Sequence, residues 1–223
     1  MVNEPVPTDD TWPWLSPDFA SPEGIVGVGG DLTIATMLEA YRNVIFPWFN
    51  DGDPVIWWCP DPRAIIPMET LHIPRRLKSV LKSGRFRYTV NQAFAEVIRS
   101  CRDVRVDEGT WITTEVVEAY CELHRHGHAH SLEVWEGETL AGGLYGITIG
   151  GFFAGESMFY RVPEASKCAL VWMVQHLLKR GFVLFDTQII NEHTERFGAI
   201  EISRDNYMCQ LQAAMKLQDV RFA

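Results

Sequence analysis

The sequence has no C-x-x-C pair: its five cysteines, Cys59, Cys101, Cys121, Cys168 and Cys209, are scattered and odd in number. That pattern argues against both a disulfide framework and a structural zinc site. No window approaches the roughly 18 uninterrupted apolar residues that a membrane span needs. The N-terminus, with Pro5, Pro7, Asp9 and Asp10, lacks the basic and apolar regions of a signal peptide. A soluble, cytoplasmic protein is therefore expected. There is also no G-x-S-x-G elbow, no Walker loop and no G-x-G-x-x-G. Their absence removes the common covalent hydrolases and nucleotide-binding enzymes. Internal repeats and low-complexity tracts are missing too.

What is present is an ordinary globular composition over 223 residues, enough to bury one sizeable core with or without a small appendage. Eight tryptophans exceed what such a core needs, and several sit beside proline or glycine, where aromatics often line a binding surface. Charge is unevenly spread. Residues 1–70 hold eleven acidic side chains against Arg42 and Arg63, which accounts for the whole net charge of −9. By contrast, Arg75, Arg76, Lys78, Lys82, Arg85, Arg87, Arg99, Arg102 and Arg105 face only Glu96 and Asp103 in the stretch 75–105. Screening over roughly 8–10 Å makes a local patch of this kind matter more to a polyanion than the global sum. The plainer reading is a solvated helix face.

Residues up to about Glu23 read as a proline-rich extended arm. Asp31 or Thr33 caps a helix to about Asn43, and Val55–Cys59 forms a short strand closed by Pro60-Asp61-Pro62. This segment reads as a small N-terminal domain over 1–62. Beyond it, helices are expected at Arg75–Leu81, Asn91–Cys101 and from Thr113 or Thr114 to about His126. Ser131–Trp135, Thr139–Ile149 and Phe152–Met158 read as an antiparallel meander. An amphipathic helix over Glu164–Lys179 ends at Gly181, followed by an apolar strand from Val183 and a helix over Arg204–Leu217. The whole is α+β, with the larger domain over 63–223.

His124, His126, His128 and His130 invite a metal reading, but Gly127 breaks the segment and no cysteine or carboxylate stands at ligand spacing, so no metal is expected. Histidines made cationic by a helix C-terminus explain the run better. Strand alternation puts Glu156 with Met158, and Asp186 with Gln188, on shared faces. Acidic residues in such apolar surroundings are paired or functional. Asp186 is open to reading as a hydrogen-bonded core acid, and Glu156 as a partner of Arg161 or Lys167.

Several blocks occur in order: Phe46-Pro47-Trp48-Phe49, Trp57 to Arg63, Gly109-Thr110-Trp111-Ile112, Gly127 to Ser131, Gly155-Glu156-Ser157-Met158-Phe159, Ala165-Ser166-Lys167 and Asp186-Thr187-Gln188. Together they make the chain resemble the bacterial leucyl/phenylalanyl-tRNA–protein transferases from about Gly24 to Met215. Asn43-Val44, where the family tends to have a basic residue and glycine, and Glu195 to Gly198 depart from the pattern. The resemblance implies a GNAT-like acyltransferase domain with a mixed, largely antiparallel sheet. It implies transfer of Leu or Phe, with Met as a further substrate, from aminoacyl-tRNA to proteins beginning with Arg or Lys, marking them for degradation. Aminoacyl-tRNA is then a co-substrate and no cofactor is required. Asp186, Gln188 and Glu156 become the catalytic residues, with Asp186 orienting the Gln188 amide. Trp48, Trp111, Phe46 and Tyr41 would hold the terminal adenosine. Leu144, Met158, Leu170, Met173, Leu177 and Phe185 would form the amino-acid pocket, Asn191 would contact substrate, and Arg75, Arg76, Lys78 and Lys82 would grip the tRNA backbone. Readings left beside this one are a related transferase acting on N-terminal Asp or Glu, an acyl-CoA transferase, and a non-catalytic tRNA- or degron-binding module.

Overall fold

The computed structural model describes residues 12–105 and 109–223. The part of the proline-rich arm before Trp12 lies outside the described residues. Among those described, the chain first builds a three-stranded antiparallel sheet from β1 (Ile25–Val28), β2 (Phe46–Pro47) and β3 (Ile56–Trp58), in the order β1-β3-β2. α1 (Ile34–Arg42) connects the first two strands, and the Thr33 hydroxyl accepts from the backbone N–H of Thr36 as its N-cap. Trp57 is fully buried at the centre, with Trp14 edge-on against it at 4.7 Å.

The second sheet has seven strands. It takes in β4 (Arg63–Ile65), β5 (Arg87–Val90), β6 (Ala129–Glu136), β7 (Thr139–Ile149), β8 (Phe152–Tyr160), β9 (Leu184–Gln188) and β10 (Ile200–Ile202), in the order β10-β4-β9-β8-β7-β6-β5. Helices α2 (Arg75–Lys82), α3 (Phe94–Asp103), α4 (Thr114–Arg125), α5 (Ala165–Arg180), α6 (Glu192–Glu195) and α7 (Arg204–Met215) complete it. The expected mixed, largely antiparallel sheet with flanking helices is therefore present. β6, β7 and β8 form the meander, and every neighbouring pair is antiparallel except β8 with β9. A parallel pair needs a crossover, which α5 supplies. α5 lies close on β7 at Gly142, where a Cβ would sit 2.8 Å from that of Ala165. One apolar cluster joins α1 and the small sheet to α3, α4 and α7; a second lies under α2 and α5.

Burial of His128 and His130 pushes both pKa values down, that of His130 to about 4. These two are neutral at pH 7, against the expectation of cationic histidines, because imidazolium loses its hydration inside the fold. His130 stacks on Phe222 and His124 on Phe94. No cluster of three or more potential metal ligands occurs among the described residues, and none of their helices is long and apolar enough to cross a membrane.

Candidate active site

The site lies where two neighbouring strands part. β8 and β9 pair as Phe152–Leu184, Phe153–Phe185 and Ala154–Asp186, and then stop. Beyond that point Glu156 of β8 faces Gln188 of β9 across the opening. Glu156 is aimed there by a β-bulge. Gly155 pairs with Gly146 and Ser157 with Tyr145, leaving Glu156 as the extra residue. The bulge also breaks the strict alternation that would have placed Glu156 with Met158.

Asp186 is sealed in the protein. Its two oxygens accept from Arg63 Nε at 2.9 Å, Arg63 Nη2 at 2.6 Å, the Tyr207 hydroxyl at 2.8 Å and the backbone N–H of Gln188 at 2.8 Å. Arg63 is equally buried, spends Nη1 on the Val44 carbonyl at 2.9 Å, and lies between the rings of Phe46 and Tyr207. Burial acts to lower the guanidinium pKa, but the charge of Asp186 more than offsets it and the net shift is upward. The expected bond from Asp186 to the Gln188 side-chain amide is not made. Asp186 holds the backbone of Gln188 instead, in the left-handed region at φ 57°. Val44 also lies there, at φ 63°.

The Gln188 carboxamide belongs to Glu156. Its Nε2 donates to Glu156 Oε1 at 3.2 Å; Tyr41 donates to the same oxygen at 2.7 Å and Tyr120 to Oε2 at 3.0 Å. In its ionised form the Glu156 carboxylate only accepts, so it then fixes the amide's orientation and leaves the carbonyl oxygen as an acceptor. Burial pushes the Glu156 carboxyl up to about 7, and the tyrosine hydrogen bonds limit the rise. Neither Arg161 nor Lys167 pairs with it: Arg161 reaches Glu96 and Lys167 reaches Glu164.

Two cavities meet at this pair. The larger, about 410 Å³, is lined by Leu144, Met158, Leu170 and Phe185 on its apolar side. The smaller, about 240 Å³, is lined by Phe46, Trp48 and Trp111. Glu156, Gln188, Thr187, Asn191 and Trp111 line both. Tyr41, expected beside the adenosine, lines neither and is buried, because its hydroxyl is turned to Glu156. Met173 and Leu177 lie in the core instead of the pocket, on the part of α5 that packs beneath the sheet. Asp186 likewise reaches neither cavity. Asn191 caps α6, its side chain accepting from the N–H groups of His193 and Thr194. Arg75, Arg76, Lys78 and Lys82 are all exposed on α2, and none is in an ion pair within the described residues. Arg63, Tyr120, Tyr207, Arg105, Tyr145 and His193 also belong to the site; the sequence marked Arg63 as the end of a family block and Arg105 as part of the basic run, and gave none of the six a role in the site.

The leucyl/phenylalanyl-tRNA protein transferase model matches residues 65–212, and the model of that family's N-terminal domain matches residues 30–61. A leucyl/phenylalanyl-tRNA–protein transferase of Shewanella sp. (strain W3-18-1) is 50% identical over 196 residues, covering 86% of this chain and 83% of that protein. The enzyme of the same name from Yersinia pestis (strain Pestoides F) is 49% identical over 198 residues, covering 88% and 84%. A solved structure of L-PGS from Bacillus licheniformis is 11% identical with a TM-score of 0.45, and the match spans 70% of this chain and 65% of that one. On the matches of both family models and the two half-identical relatives, the chain belongs to the leucyl/phenylalanyl-tRNA–protein transferase family, whose members are aminoacyl-tRNA-dependent transferases.

Proposed function

We propose that the protein moves Leu or Phe, and also Met, from aminoacyl-tRNA to the α-amino group of proteins beginning with Arg or Lys. The product carries a new N-terminal apolar residue, which marks it for degradation in the cytoplasm. The observation that carries this reading is the meeting of an aromatic-lined cavity and an apolar cavity at the Glu156–Gln188 pair. An aminoacylated 3′-adenosine has the same two parts joined by an ester.

The chemistry asks little of a base. The ester is already activated, so no enzyme nucleophile is needed. A free α-amino group has a pKa of roughly 7.7–8.0, and a useful fraction is neutral at pH 7. Holding that amine beside the ester supplies much of the acceleration, since effective molarities of about 10⁵ M or more are attainable. Gln188, too weakly basic to take a proton outright, holds the amine through its carbonyl oxygen. Arg63, Tyr207 and Asp186 are positioning residues that fix the backbone of Gln188. Trp48 and Trp111 stack the adenine. Leu144, Met158, Leu170 and Phe185 take the side chain; such a pocket discriminates by only about 1–3 kcal/mol per methylene, which suits several large apolar residues. The exposed cations of α2 grip the tRNA backbone without reading sequence.

The choice of a basic acceptor follows from the family resemblance. Both charged side chains of the larger cavity are engaged within the protein, Glu156 by Tyr41, Tyr120 and Gln188, and Arg105 by Ser157 Oγ at 2.8 Å and the Met158 carbonyl at 3.1 Å. The test is to follow radiolabel from Phe-tRNA and Leu-tRNA into peptides starting with Arg, Lys, Asp or Glu. Label entering the Arg and Lys peptides alone is expected. Transfer to Asp or Glu peptides would overturn the acceptor assignment, and tight tRNA binding with no product would overturn the reaction.

A further inference from the structure

Buried polar groups in folded proteins almost always have hydrogen-bond partners, and an orphan is destabilising. Among the described residues, two buried side-chain polar atoms have none: the Tyr145 hydroxyl and His193 Nε2. Both residues line the 410 Å³ cavity. The other buried polar side chains among the described residues are satisfied, so these two atoms on one cavity stand out as groups open to a ligand.

The two are not equivalent. His193 is half-buried on the four-residue α6, and its nitrogen donates or accepts according to tautomer. Tyr145 is fully buried on β7, one of the central strands. Its ring is wedged edge-on against Tyr120 at 5.3 Å and Phe94 at 5.9 Å, so the hydroxyl is fixed in position. In register it stands opposite Ser157, the residue after the Glu156 bulge. Burial and the neighbouring Cys101 and Glu156 push its pKa well above the usual phenol value, so it keeps its proton at any working pH. A rigid, desolvated, always-protonated donor beside the reacting groups has the properties required to stabilise developing negative charge.

We propose that the Tyr145 hydroxyl donates the hydrogen bond that holds the ester carbonyl oxygen of the aminoacyl-tRNA as it becomes an oxyanion. This rests on the transfer reaction proposed above. The acceptor nitrogen attacks the carbonyl carbon, a C–N bond forms, and the π pair moves to the oxygen facing Tyr145. On collapse the C=O bond re-forms and the bond to the ribose oxygen breaks. The proton lost by the nitrogen ends on that ribose oxygen, giving an amide and free tRNA. No oxidant or further reactant is involved.

The test is Tyr145→Phe, which removes one oxygen and leaves the wedged ring. Single-turnover transfer of Phe from Phe-tRNA to an Arg-peptide is measured beside the wild-type protein, with tRNA affinity and the unfolding midpoint. The expected result is a fall in rate of about 10²-fold with tRNA affinity unchanged, and a midpoint equal to or above wild type, because an orphan has been removed. His193→Ala serves as a comparison and is expected to lose less. A Tyr145→Phe rate within about twofold of wild type would overturn the inference. A lower midpoint would overturn it too, since the hydroxyl would then have a partner in the free protein, and so would equal losses in rate and affinity. If the wild-type protein itself makes no product, the transfer reading fails instead.

Discussion

Replacing Asp186 by Asn should expose how the Gln188 backbone is held. The change keeps shape but leaves the Arg63 guanidinium, whose side chain is 2% exposed, without its counter-charge. Removing one partner of a buried ion pair costs about 3–5 kcal/mol. For a chain of this length that lowers the thermal midpoint by on the order of 10 °C. The asparagine also places an NH2 group among four donors, so at least one of the Arg63, Tyr207 and Gln188 bonds is lost. A non-glycine residue in the left-handed region costs about 1–2 kcal/mol to hold, and the N–H bond to Asp186 is what holds Gln188 at φ 57°. Transfer per folded molecule should therefore fall along with stability. Urea denaturation of the wild type, Asp186→Asn, Arg63→Met and the double variant gives the coupling directly, and we expect at least about 2 kcal/mol. An Asp186→Asn loss below about 1 kcal/mol, or additive single effects, would refute the reasoning.

Glu156→Gln should change the pH dependence of stability. A carboxyl whose pKa is raised to about 7 by burial favours its neutral form in the fold, so wild-type stability from this group is present below pH 4.5 and is lost as pH rises through 7. The variant, compared by urea denaturation, should thus gain on the wild type between pH 5.5 and pH 8; equal differences at both pH values would contradict the burial argument. At Gly155 an added Cβ would come within 2.7 Å of the Phe185 ring. Gly155→Ala should therefore push that ring and narrow the pocket, lowering kcat/KM for Phe-tRNA more than for Leu-tRNA; an unchanged ratio would show that Phe185 does not bound the pocket. Trp48 is 42% exposed and tilted against Trp58. Trp48→Ala should raise KM for aminoacyl-tRNA by the equivalent of about 1–3 kcal/mol of lost base stacking, with the thermal midpoint nearly unchanged.

Much of this architecture was readable in the sequence for local reasons. Thr33 and Thr113 cap their helices through the side-chain oxygen and Gly181 closes α5 at φ 84°, so those boundaries fell close to expectation. The meander was legible because Glu136-Gly137 and Gly150-Gly151 punctuate long strands. β1, β2, β4, β5 and β10 have two to four residues each, too few to show alternation, and they exist because neighbouring strands supply their hydrogen bonds. The site divided in the same way. An apolar strand ending in Asp186 and Gln188 was visible, whereas the clamp on Asp186 comes from Arg63, 123 positions away, and Tyr207. The Glu156 bulge had a faint signal in Gly142 to Gly146. Met173 and Leu177 were misplaced because α5 is apolar around much of its circumference, and periodicity alone does not tell a pocket wall from a core face.

Transfer requires Gln188 to hold the attacking amine at the opening between β8 and β9. Gln188→Ala, assayed by transfer of labelled Phe to an Arg-peptide with both substrates saturating, tests that claim directly. We expect a rate lower by about 10²-fold or more, with the folded protein still binding aminoacyl-tRNA. A near-normal rate at saturation would contradict it.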